Sequence, residues 1–195
     1  ARASIRREKR VVVVEGYMDC ISLHQVGITN VVASLGTAFT REHARLLAKE
    51  SREVVIAYDA DTAGIAATLR SLDILAEQGL RVLVMSLPLG EDPDSFIQSR
   101  GVEGWKELEG NALSLLDFKI HAGLQGVDKE DSNWQIHGTQ AILPILLDIE
   151  SPVVLETYLG KVSTLLDLPT DVLRAEVDRH KQGQRRTRRR RHITG

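Results

Sequence analysis

The sequence predicts an α/β fold, a mostly parallel sheet flanked by helices, followed by an all-helical subdomain. Short runs rich in β-branched residues, at 11–14, 31–33, 54–58 and 82–85, alternate with helical patterns as far as Gly101. The runs are apolar throughout rather than at every second residue, which fits strands covered on both faces and joined by crossover helices. Beyond Gly101 the runs give way to apolar stripes at helical spacing.

Each element has its own local reason. Residues 1–10 hold five cations against Glu8 and read as a basic lead-in from an upstream subdomain. The first strand stops at Glu15-Gly16, and a helical pattern covers 19–25. Thr40 is suited to cap a helix over 41–49, and a helix over 63–77 ends before Gly79. Residues 11–101 therefore form one α/β unit. The helical subdomain spans 102–182. Leu113, Leu116, Ile120 and Leu124 make one stripe, and Ile142, Ile145, Leu146 and Ile149 make another. Ser151-Pro152 opens a helix containing Tyr158, Leu159 and Val162, and Pro169-Thr170-Asp171 opens the last one. Residues 183–195, with Arg185, Arg186 and Arg188 to Arg191, read as a basic disordered linker or tail.

Composition narrows the class. At 195 residues, 43% hydrophobic and 27% charged, the chain is globular in type. No apolar run approaches the roughly 20 residues of a membrane helix. The first ten residues lack the apolar segment of a signal peptide, so a cytoplasmic address without membrane contact is expected. Cys20 is the only cysteine, which leaves no internal disulfide and no cysteine-rich zinc site. The net charge of −2 conceals segregation: residues 11–180 hold 13 cations against 26 acids, while 181–195 hold seven cations and no acid. Acids gather divalent metals and arginines gather phosphates. Ala rather than Met at position 1 suggests a segment of a longer chain.

Three acidic groups stand just after expected strands: Glu15, then Asp59 with Asp61, then Asp92 with Asp94. In an open parallel sheet the carboxyl ends of the strands share one edge, where such folds place ligands. Carboxylates crowded there repel one another unless a cation lies among them. Mg²⁺ suits the set, since it takes oxygen ligands and is commonly held by one or two carboxylates plus substrate phosphates. Either Asp pair alone reads as helix capping. Glu15 alone reads as a solvated turn residue. Agreement among three groups favours the metal, because capping needs one acid per helix and gives no reason for doublets.

Glu15-Gly16-Tyr17-Met18-Asp19, Leu35-Gly36-Thr37-Ala38, Tyr58-Asp59-Ala60-Asp61-Thr62-Ala63-Gly64 with Arg70, and Asp92-Pro93-Asp94 resemble, in order, the Toprim motifs of bacterial DnaG-type primases. The helical half is similar to the subdomain that follows Toprim there, so the resemblance covers about residues 5–182. One departure is Ala60, where the family often has glycine.

The resemblance implies a Toprim-like sheet and metal-dependent nucleotidyl transfer. Ribonucleoside triphosphates would be joined into an RNA primer on a single-stranded DNA template. Glu15, Asp59 and Asp61 are the expected catalytic and metal-holding residues, with Asp92 and Asp94 completing the outer part of a Mg²⁺ or Mn²⁺ site. Glu15 has the alternative role of accepting the hydroxyl proton. Asp19 stands either behind the ligands or as a helix N-terminal acid favoured by the dipole. Gly36 and Thr37 are candidates for contacting a nucleotide phosphate, and Arg70 for facing one. Trp105 and Trp134 fit core or interface positions better than a base-stacking platform.

The zinc-binding, template-gripping and helicase-binding domains of a whole primase lie outside these residues, so a replicative helicase is a partner only through a region not present. Two other readings stay open: a Toprim nucleic-acid binding or assembly module without catalysis, and a Toprim nuclease or topoisomerase fragment. Primer synthesis needs the acids and metal, whereas binding through the basic ends needs neither.

Overall fold

Val11, Val13, Val54, Ile56, Val82 and Val84 turn to one side of a central sheet, and Val12, Val14, Val55, Ala57, Leu83 and Met85 turn to the other, none more than 8% exposed. Burial on both faces is the physical reason that these strands are apolar at every position. The structure, a computed structural model, describes residues 1–34, 39–58 and 65–193.

The sheet contains β1 (Arg10–Val14), β2 (Val31–Ala33), β3 (Glu53–Tyr58), β4 (Arg81–Ser86) and β5 (Leu113–Ser114), in the order β2-β1-β3-β4-β5. The first four are mutually parallel, and β5 pairs antiparallel to β4. One face is covered by Ile5 of α1 (Arg2–Glu8), Ala44 of α3 (Arg41–Glu50), and Leu72 and Leu75 of α4 (Ile65–Glu77). The other is covered by Leu23 of α2 (Tyr17–Gln25) and by Phe96, Ile97 and Trp105 of α5 (Pro93–Gly110). Burying each large apolar side chain contributes about 1.5–3 kcal/mol. Trp105 is fully buried with its ring edge-on to Phe96, in keeping with a core role.

Thr40 caps α3 as expected, its Oγ1 accepting the His43 N–H at 3.3 Å. In the first hundred or so residues, three elements differ from the sequence reading. The basic lead-in contains helix α1, anchored by Ile5. Leu113, placed by its spacing on a helical stripe, lies in the short strand β5, and α6 (Leu115–Leu124) begins after it. Helix α5 is broken at Gly101, whose φ of 65° and ψ of −171° suit a residue without a Cβ, and it resumes to Gly110.

The chain divides into two compact units, Ala1–Phe118 and Lys119–Gly195. The first unit thus runs past Gly101, because Trp105 and Phe118 both belong to cores built on the sheet. In the second unit, α7 (Trp134–Leu147), α8 (Pro152–Leu166) and α9 (Thr170–Ile193) pack around Ile142, Leu146, Leu159, Val162 and Leu173. Ser151 caps α8, accepting the Val154 N–H at 3.5 Å. Helix α9 continues through the arginine run, where the sequence suggests a disordered tail; arginine is a good helix former, and nothing in the run breaks the backbone before Ile193. No described helix is long and apolar enough to cross a membrane.

Candidate functional site

Because β1 to β4 run the same way, Val14, Ala33, Tyr58 and Ser86 finish at one edge, with Val14 opposite Ala33 and Tyr58 opposite Ser86. Glu15 leaves β1 at this edge and is exposed. Asp59 and Asp61 follow Tyr58 in the chain and lie outside the described residues, as do Gly36 and Thr37. Arg70 is on α4, and its side chain is outside the description.

The remaining acids meet where α2 and α5 begin. Both helices cover the same face of the sheet, so their amino ends lie together at the carboxyl edge. Asp92 is the N-cap of α5: its Oδ1 accepts the Ser95 N–H at 2.7 Å and the Ser95 hydroxyl at 2.6 Å. The Asp92 N–H donates back to Ser95 Oγ at 3.0 Å. The Ser95 hydroxyl and N–H together hold the Asp92 carboxyl below its usual range. Asp92 therefore performs the capping role, and Pro93 occupies the first helical position where its missing N–H costs nothing.

Asp94 is the second residue of α5, in its first turn, with its Oδ1 accepting from Ser22 Oγ at 2.5 Å and from Gln98 Nε2 at 2.8 Å. Asp19 accepts the Gly16 N–H at 3.0 Å and lies near enough to the start of α5 for the Asp94 N–H to act on its carboxyl. Burial pushes the Asp19 carboxyl above its ordinary value, and the like charges of Asp92 and Asp94 add to the rise against these two N–H donors. A Cβ on Gly16 would stand 2.7 Å from Asp19 Oδ2, so this close approach needs glycine.

The structure thus brings Asp19, Asp92 and Asp94 together and sets Glu15 at the same edge. Among the described residues, no three His, Cys, Asp or Glu side chains are arranged to hold a metal ion. The donors present are nevertheless all oxygens, and their mutual repulsion at Asp19 is of the kind a hard divalent cation relieves. Ser22, Gln98 and Ser95 escaped the sequence reading. Asp92 to Ser95 has capping-box spacing and Asp94 to Gln98 has i,i+4 spacing, so these pairs were recoverable. Ser22 to Asp94 joins separate elements and leaves no sequence pattern.

Residues 12–97 match the Toprim-like family. The chain is 47% identical over 78% of its length to a DNA primase of Clostridium acetobutylicum, spanning 26% of that relative. Among solved structures, the RNA polymerase domain of Mycobacterium tuberculosis primase DnaG, in complex with double-stranded DNA, superimposes with a TM-score of 0.74 at 28% identity, over 87% of this chain and 55% of that one. The chain carries a Toprim domain of the DnaG primase kind. A DnaG primase catalytic domain bound to ssDNA also matches, with a TM-score of 0.63 at 30% identity over 80% of this chain and 51% of that one. The Toprim sheet and the helices after it are therefore the architecture of primase cores. The chain spans less than a third of the curated relatives it matches. Membership of this family implies divalent-metal use in general terms.

Proposed function

We propose that this chain is the Toprim and helical part of a primase catalytic core, joining ribonucleotides into short RNA primers on single-stranded DNA during replication. What supports the reading is one coincidence: the stretch matching Toprim, 12–97, is also the stretch whose sheet edge carries Glu15, Asp19, Asp92 and Asp94.

In that reaction the primer 3′ oxygen bonds to the α-phosphorus of the incoming ribonucleoside triphosphate, and the bond to the pyrophosphate oxygen breaks. Bound Mg²⁺, or Mn²⁺ in its place, supplies charge neutralisation at the entering and leaving oxygens. Glu15, Asp59 and Asp61 are assigned to hold the metal, with Asp92 and Asp94 completing the outer part of the set. Glu15 is alternatively the acceptor of the hydroxyl proton. Asp19 stands beside this set, held by the Gly16 amide and close enough to Asp92 and Asp94 for their charges to raise its pKa. Gly36 and Thr37 are assigned to nucleotide phosphate, as is Arg70. A replicative helicase would engage through a region outside these residues, in the cytoplasm.

Titration of the 195-residue chain with Mn²⁺, followed by electron paramagnetic resonance beside Asp59→Asn, tests the assignment. Saturable binding that the substitution abolishes is expected. Equally negligible binding by both proteins would remove the reading.

A further inference from the structure

Asp94 is gripped on one oxygen from two helices. Ser22 Oγ, from α2, and Gln98 Nε2, one turn further along α5, both donate to Oδ1, at 2.5 and 2.8 Å. A carboxylate with two donors on one oxygen cannot turn about its Cβ–Cγ bond without losing both, and the bonds are stronger for ending on a charge. An i,i+4 pair such as Asp94 and Gln98 accounts for local helix support. It does not account for a hydroxyl reaching the same atom from another helix at 2.5 Å.

We infer that Ser22 and Gln98 are positioning residues that fix the Asp94 carboxylate and thereby set the affinity of the sheet edge for a divalent cation. This rests on the reading of that edge as a metal site. The two side chains act through Asp94, in the way that hydrogen-bond partners behind metal ligands orient them and tune affinity.

The test is Mn²⁺ affinity of the 195-residue chain by isothermal titration, well below the unfolding temperature, for Ser22→Ala, Ser22→Thr and Gln98→Met. Removing a donor of this kind weakens binding about tenfold or more, and that loss is expected for Ser22→Ala and Gln98→Met. Ser22→Thr keeps the hydroxyl and restores affinity, which a merely packing role for Ser22 would not require. Gln98 is exposed, so its variant folds whether or not Ser22→Ala does. If both donor deletions bind Mn²⁺ as the unaltered chain does while Asp59→Asn abolishes binding, this inference falls and the metal reading stands. If the unaltered chain binds no Mn²⁺, both fall.

Discussion

Arg10 and Glu53 face each other on the first rung of the β1–β3 register, with Arg10 Nε 2.5 Å from Glu53 Oε1. Glu53 also takes Arg81 of β4 at 3.1 Å, and Arg10 reaches Glu109 of α5 at 2.9 Å. The amino edge of the sheet is thus knitted by alternating charges, while the carboxyl edge gathers acids. Arg10 is 37% exposed and Arg81 75%, so solvent screens much of this attraction. Glu53→Gln is expected to cost about 1 kcal/mol, shrinking as salt rises, measured by urea unfolding at two ionic strengths.

Glu50 is pinned by Arg6 at 2.5 Å and Arg2 at 3.1 Å. The hydrogen bond from Arg6, then the charges of Arg2 and Arg6, lower its pKa from the ordinary 4.5. A depressed native pKa gives stability that is present above 4.5 and is lost as pH falls through the native value. Glu50→Gln should flatten the fall in stability below pH 4.5, read from urea midpoints across the acid range. An unchanged acid profile would contradict the pairing.

Gly16→Ala forces a Cβ to 2.7 Å from Asp19 Oδ2, so the Gly16 N–H must give up its bond to that carboxylate. The expected loss is about 1–2 kcal/mol, the scale of a hydrogen bond to a charged group. Thermal unfolding measures it. Combined with Asp19→Ala the cost should shrink, since the clash then has no partner.

Trp105 is fully buried, and its Nε1 has no hydrogen-bond partner among the described residues. Trp105→Phe removes that polar atom together with some volume and should cost less than about 1.5 kcal/mol. Trp105→Ala opens a cavity beside Phe96 and should cost about 3–5 kcal/mol. Equal losses would mean that the indole nitrogen is satisfied after all.

Deleting residues 183–195, which include the last turns of α9, should leave affinity for single-stranded DNA and its dependence on salt unchanged. The arginines there would otherwise add counterion release and steepen the salt slope. Fluorescence anisotropy with a labelled oligonucleotide at several salt concentrations decides between the two.

Much of this fold was readable because strands buried on both faces cannot hide their composition: the runs that form β1 to β4 need no alternation to be recognised. Caps at Thr40 and Ser151 were readable because a hydroxyl before a helix has one common use. Helix α1 was missed because a single buried Ile5 is too faint a stripe among cations. Strand β5 was missed because two residues hold no period, and Leu113 continues a helical spacing by accident. At the site, the acid doublet 92–94 was legible as a pair but not as two jobs: Asp92 closes a cap, whereas Asp94 joins two helices. That division depends on Ser22, which only the folded chain brings near. Asp59 and Asp61 lie outside the described residues, so their part in the site rests on their place in the sequence.

The sheet finishes on one side with the three residues of β2 and on the other with the two of β5. Rims this short offer almost no open ladder on which a stray strand from a neighbouring molecule could dock. A protein built on apolar, valine-rich strands is thereby guarded against stacking into fibres, with the protection supplied by its two least conspicuous elements.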